Sequence, residues 1–132
     1  MMRAQITIEY LLLSVIALVL ISFSVFALGR IKDASEKAYD AVEFRSSAAD
    51  LANAMDEVCA LGEGNSRVVY LRRAIDAEGG LAADGGRYAE MRDSASNLTI
   101  VREAFCDIAG AVGLEGKTEV KNEGGEIFLS KS

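Results

Sequence analysis

Met2-Arg3-Ala4-Gln5-Ile6-Thr7-Ile8-Glu9-Tyr10 runs without a break into LLLSVIALVLISFSVFALG at residues 11–29. After a short basic lead the stretch carries one acidic residue, Glu9, and then about twenty residues without charge until Arg30, enough for a helix to cross a hydrocarbon core of about 30 Å. It reads as a membrane span. A secretory signal peptide has an apolar region of roughly 7 to 15 residues before a small-x-small cleavage site. Ala27-Leu28-Gly29 would serve as that site, but the apolar run before it is too long and contains Glu9. A plain anchor has no use for Glu9 either, because an acidic side chain inside a span costs up to about 2.5–3.5 kcal/mol at its centre and less near its edge. Something must need that carboxylate.

Ala4-Gln5-Ile6-Thr7-Ile8-Glu9-Tyr10-Leu11 resembles the class III signal peptide of archaeal type IV pilin-like proteins: a small residue, the cut, Gln-x-Ser-x-Glu, and a long apolar helix. Thr7 stands where serine is commoner, and Arg3 supplies the basic residue before the cut. The resemblance implies that a membrane aspartic prepilin peptidase cuts between Ala4 and Gln5 on the cytoplasmic side. It further implies that a secretion-type assembly ATPase and a polytopic platform protein draw the subunit out of the membrane. Copies would then polymerise through their N-terminal helices, with Thr7, Glu9 and Tyr10 in the assembly segment. The protein would reside in the cell membrane before assembly and in a surface filament afterwards; such filaments serve adhesion, DNA uptake or motility. The alternative is an uncleaved single-pass surface protein whose β head binds a partner, and N-terminal processing separates the two.

Physical chemistry supplies a matching role for Glu9. Cleavage would create a cationic amine on Gln5, and in a water-poor bundle a buried carboxylate is tolerable only when paired. The partner is a neighbouring subunit's amine or the chain's own, about one helical turn away.

At 132 residues the chain holds one small domain besides the span. Its 51% hydrophobic content is concentrated in residues 6–29, the remainder reads as a soluble domain, and the whole chain carries a formal net charge of −6. No basic patch interleaved with aromatics occurs, so no direct nucleic-acid contact is predicted. The sequence has no histidine, which removes Ser-His and Cys-His nucleophile systems and leaves two cysteines and carboxylates as the donors for any zinc site. Neither enzymatic activity nor a cofactor or metal is expected.

Beyond the span the apolar pattern thins but keeps helical spacing: Ile31, Ala34, Ala38, Ala41, Val42, Ala48, Ala49, Ala52, Met55, Val58 and Cys59 fall at steps of three and four. Gly62 and Gly64 mark the end of the helix. The organisation predicted is a leader at 1–4, an apolar helix at 5–29, its amphipathic continuation at 30–62 and a β-rich extracellular head at 66–132. Ser14, Ser22, Ser24 and Gly29, with the alanines, would allow close helix packing, although alanine also simply favours helix.

From Arg67 the period moves toward two. Val68–Leu71 and Tyr88–Asp93 read as strands, Ala74–Glu78 is ambiguous, and Gly79, Gly80, Gly85 and Gly86 mark a loop or hairpin connection. Leu98–Ile108 alternates best, with Leu98, Ile100, Ala104, Cys106 and Ile108 on one face. Thr118–Asn122 and Glu126–Ser130 flank Glu123-Gly124-Gly125 as a hairpin. The fold predicted is α+β: a long N-terminal helix whose second half packs on four or five short antiparallel strands.

Cys59 and Cys106 both fall on predicted core faces. In an extracellular head an even count favours a bridge, contributing about 4 kcal/mol on the chain-entropy model; buried free thiols are the other reading. Asn97-Leu98-Thr99 is an N-glycosylation acceptor triplet, exposed if Leu98 points inward. Asp76, Glu78 and Asp84 among glycines lack the alternating spacing of a calcium loop.

Overall fold

The chain has no proline, and Gly29 is its only glycine before residue 62, so the sequence contains no helix breaker over its first sixty residues. The computed structural model describes residues 2–132, with side chains from residue 5 onward, and helix α1 runs through Met2–Leu61. It ends at Gly62, whose φ of 86° is open to glycine at no steric cost. There the Asn65 side-chain amide donates to the carbonyls of Leu61 and Gly62 at 2.9 and 3.1 Å, satisfying acceptors that the helix leaves free.

Six strands complete the chain: β1 (Ser66–Leu81), β2 (Arg87–Asp93), β3 (Thr99–Ala104), β4 (Asp107–Ile108), β5 (Ala111–Glu123) and β6 (Glu126–Lys131). By residue contacts the chain divides into two units, Met1–Tyr39 and Asp40–Ser132.

Within the first unit α1 is exposed almost throughout, and its most apolar window reaches a mean hydropathy of 2.8 with no buried residues. Length and composition associate this helix with a membrane. Its serines suit that setting: the hydroxyls of Ser14, Ser22 and Ser24 donate to the carbonyls of Leu11, Leu18 and Leu20 at 2.7–2.8 Å. None of these three hydroxyls is left to face an apolar medium unpaired, where an unsatisfied polar group is expensive.

In the second unit the end of α1 packs on a single sheet with strand order β3-β2-β1-β5-β6-β4. The core joins Phe44, Ala48, Leu51, Ala52, Met55 and Val58 of the helix to Leu71, Ile75, Met91, Leu114, Val120 and Ile127 of the sheet. This corrects the predicted stripe. Ile31 and Val42 are 64% and 65% exposed, whereas Phe44 and Leu51, absent from the predicted set, are fully buried. Val42 and Phe44 are two residues apart, about 200° around a helix, and cannot share a face. The larger side chain sets the phase.

The sheet departs from prediction in three ways. First, Gly79 and Gly80 lie inside β1 rather than in a connection, which is confined to residues 82–86. They are glycines because of close approach: a methyl on Gly79 would stand 2.8 Å from the Ile108 carbonyl oxygen, and one on Gly80 would stand 2.5 Å from the Tyr88 ring. Second, β5 begins at Ala111, earlier than the hairpin pattern indicated, because Gly113 and Gly116 at φ 67° and 75° interrupt the alternation without ending the strand. Register shifts between Leu71 and Ile75 and between Ile75 and Ala77 mark the irregularity on β1.

Third, Leu98–Ile108 is split into β3 and β4, and β4 pairs in parallel with β6 through Ile108↔Ile127. That pairing shows how far the sheet curls. A straight β1 would put Gly79 roughly 45 Å from Asn65. Yet Gly79 touches Ile108, Ile108 pairs with Ile127, Ile127 pairs with Asn122, and the Asn122 amide donates to the Asn65 carbonyl at 2.9 Å, a path of about four strand spacings. β1 therefore bends at its irregular middle, and the sheet wraps around the helix.

Candidate functional site

The assembly residues predicted from sequence lie on the first turns of α1. Gln5, Thr7, Glu9 and Tyr10 are all exposed, and Gln5 and Glu9 are spaced i, i+4 on one helix face. The Ala4 side chain, and with it half of the predicted processing pair, lies outside the described residues. Among the described residues Glu9 has no ion-pair partner. It is a carboxylate on an apolar rod, able to accept an ammonium group supplied from elsewhere. At the other end of the apolar run Arg30 lies 5.2 Å from the centroid of the Phe26 ring, a distance at which the guanidinium is attracted to the ring face.

In the head, Cys59 and Cys106 form a disulfide, with Cα atoms 6.0 Å apart and a sequence separation of 47. It ties the last turn of α1 to the link between β3 and β4. Asn122 makes a second tie. It is buried, its amide donates to the Val58 carbonyl at 3.4 Å, and its side-chain oxygen accepts from the Gly125 N–H at 3.1 Å.

A third tie involves residues that the sequence pattern did not single out. Arg73 in β1 donates from Nη1 to Asp40 Oδ1 at 2.8 Å and from Nη2 to Asp93 Oδ2 at 3.0 Å. Asp93 also accepts from the Ser96 hydroxyl at 2.6 Å and from the Ala95 N–H at 3.2 Å, closing the turn between β2 and β3. Burial alone would push the Asp93 carboxyl up; the bonds from Ser96, Arg73 and Ala95, with the guanidinium charge, outweigh it and hold the carboxyl below its ordinary range. The available signal was an arginine at an inward position of an alternating strand, between Leu71 and Ile75, which requires a buried acid.

The acidic residues near the glycines have structural roles. Asp76 Oδ1 accepts from the Ser94 hydroxyl at 2.9 Å and the Gly113 N–H at 2.7 Å, and Asp84 accepts from the Gly86 N–H at 3.0 Å. Among the described residues no group of three or more His, Cys, Asp or Glu is placed to hold a metal ion. Two open depressions of about 290 and 300 Å³ flank β4 and the start of β5, one lined by Asp76, Glu78, Glu90 and Arg92, the other by Gly79, Arg87, Tyr88 and Asp107. Asn97 is exposed on the turn between β2 and β3. Comparison with protein-family models, with curated proteins and with solved structures returns no match, so the residues and geometry themselves carry the functional reading.

Proposed function

We propose that this chain is a structural subunit, a pilin or minor pilin-like protein, of an archaeal type IV pilus-like surface filament. The observation that carries the reading is the spacing of Gln5 and Glu9 at i, i+4 on an apolar helix that is left uncovered among the described residues and leads into a β head. An apolar rod without intramolecular cover must be covered by lipid or by other helices, and a lone carboxylate within it favours the second through a specific ammonium partner.

In this mechanism prepilin peptidase cleaves between Ala4 and Gln5, and the new Gln5 amine becomes the partner of Glu9 on a neighbouring copy. Each subunit waits in the membrane with its rod in lipid. The assembly ATPase and platform protein then move it into the filament, where copies of the rod replace the lipid. The head travels with the rod because the disulfide, Asn122 and Arg73 hold it to the end of the same helix.

Intact mass and N-terminal sequence of the protein recovered from native membrane and surface fractions test the proposal. The expected chain begins at Gln5 or its pyroglutamate form. A chain that keeps Met1 or Met2 in both fractions would overturn filament assembly in favour of a single-pass anchor.

A further inference from the structure

The motif that the assembly mechanism leaves unused is Asn97-Leu98-Thr99, and its setting is specific. Leu98 is half-buried against the core, while Asn97 and Thr99 on either side of it are exposed. The Asn97 side chain makes no hydrogen bond among the described residues, so its amide is free to react. The turn that presents it is held at several points: the Asp93 N–H donates to the Leu98 carbonyl at 2.9 Å, the Leu98 N–H donates to the Ser96 hydroxyl at 3.3 Å, and Asp93 is anchored in turn by Arg73. Acceptor amide and threonine hydroxyl thus stand two residues apart, both exposed, where a fixed turn enters β3.

The strand that continues from the motif has an equally specific position. Thr99 opens β3, which pairs with β2 on one side and is the free edge of the sheet on the other. An open edge carries unpaired backbone groups and invites pairing with another chain. Along β3 the odd-numbered positions are Thr99, Val101 and Glu103, all exposed, and Phe105 follows the strand; Val101 and Phe105 are 58% and 70% exposed. Val101 is four residues from Asn97, no more than about 13 Å along the chain, within reach of a few sugar units. Head groups crowded along a filament would bring such edges together.

We propose that Asn97 is an N-glycan acceptor, and that its oligosaccharide shields the open β3 edge from pairing with neighbouring heads. The transfer needs a lipid-phosphate-linked oligosaccharide as co-reactant. The Asn97 amide nitrogen forms the bond to the anomeric carbon, the bond from that carbon to the phosphate oxygen breaks, the lipid phosphate leaves, and one amide proton is lost to solvent. The inference rests on the reading that places the head outside the cell.

Peptide mapping by mass spectrometry of the native protein, on the same sample as the N-terminal determination, tests the acceptor. A sugar mass on the Asn97 peptide is expected, lost in Asn97→Gln and Thr99→Ala and retained in Thr99→Ser. An unmodified Asn97 overturns the proposal whatever the N-terminus, while a modified Asn97 on a chain beginning at Met1 would overturn filament assembly and leave the acceptor standing. Sedimentation of the full chain in detergent tests the shield. Asn97→Gln should shift the protein to larger species, and adding Val101→Lys should restore the wild-type distribution. An unchanged distribution in Asn97→Gln and Thr99→Ala overturns the shielding role.

Discussion

The Arg73 guanidinium donates to Asp93 across 3.0 Å at a point where the carboxylate is only 1% exposed. One end of this contact lies on β1 and the other at the end of β2, where the turn to the edge strand begins, while the second guanidinium nitrogen reaches Asp40 on the helix. A single inward-facing arginine thereby joins three elements. Breaking a buried pair from one side leaves the other charge without compensation, at a cost of about 3–5 kcal/mol. Arg73→Met should lose that much stability in chemical denaturation of the full chain in detergent. Asp40→Ala should cost less than about 1 kcal/mol, because Asp40 is half exposed.

The same pair sets an acid dependence. Asp93 titrates below its unfolded value, near 3.9 for an ordinary aspartate. Its contribution is therefore complete above the unfolded pKa and is lost as pH falls through the folded one. Stability should rise with pH across that acid window, and Asp93→Asn should flatten the rise. Equal slopes for the two proteins between about pH 2 and 5 would remove Asp93 from the account.

Opening the disulfide frees a loop of 47 positions in the unfolded chain, worth about 4 kcal/mol in the chain-entropy model. Cys106→Ser should lower the denaturation midpoint by a corresponding amount. Reductant should bring the wild-type protein to the same midpoint and leave the variant unmoved.

Gly79 and Gly80 distinguish two kinds of crowding. A methyl at Gly79 meets the backbone of Ile108, which is tied into β4, whereas one at Gly80 meets the ring of Tyr88, which can rotate away. Gly79→Ala should destabilise by about 1–3 kcal/mol and loosen the β4–β6 pairing, seen as faster amide exchange at Ile127 and Ala109. Gly80→Ala should be markedly milder.

For the assembly proposal, Glu9→Ala should leave membrane insertion intact or improved, since a carboxylate is removed from the span. Filament yield should fall. Normal yield from Glu9→Ala cells would remove the physical reason given for that residue, and a bulky residue at position 4 should block processing before assembly.

Much of this architecture is legible in local periodicity. The unbroken apolar run to Gly29 and the steps of three and four beyond it describe α1, and Gly62 ends it where the backbone turns positive. Alternation over residues 98–108 identified the inward face, and with it Cys106 as a partner within reach of Cys59. The Gly124-Gly125 turn identified the β5–β6 hairpin. Glycines misled where they serve contact rather than turning, at Gly79 and Gly80.

The sequence by itself determined the apolar helix, the β character of the head, the positions of its half-cystines and the exposed triplet at Asn97, because each is a property of neighbouring residues and their solvent preference. Tertiary structure alone decided where the helix begins to be covered, that β1 bends until Gly79 meets Ile108, that β4 runs parallel to β6, and that Arg73 finds Asp93. These depend on which distant residues approach one another, and the approach is selected by packing a curled sheet around one helix, a constraint that no short window of sequence contains.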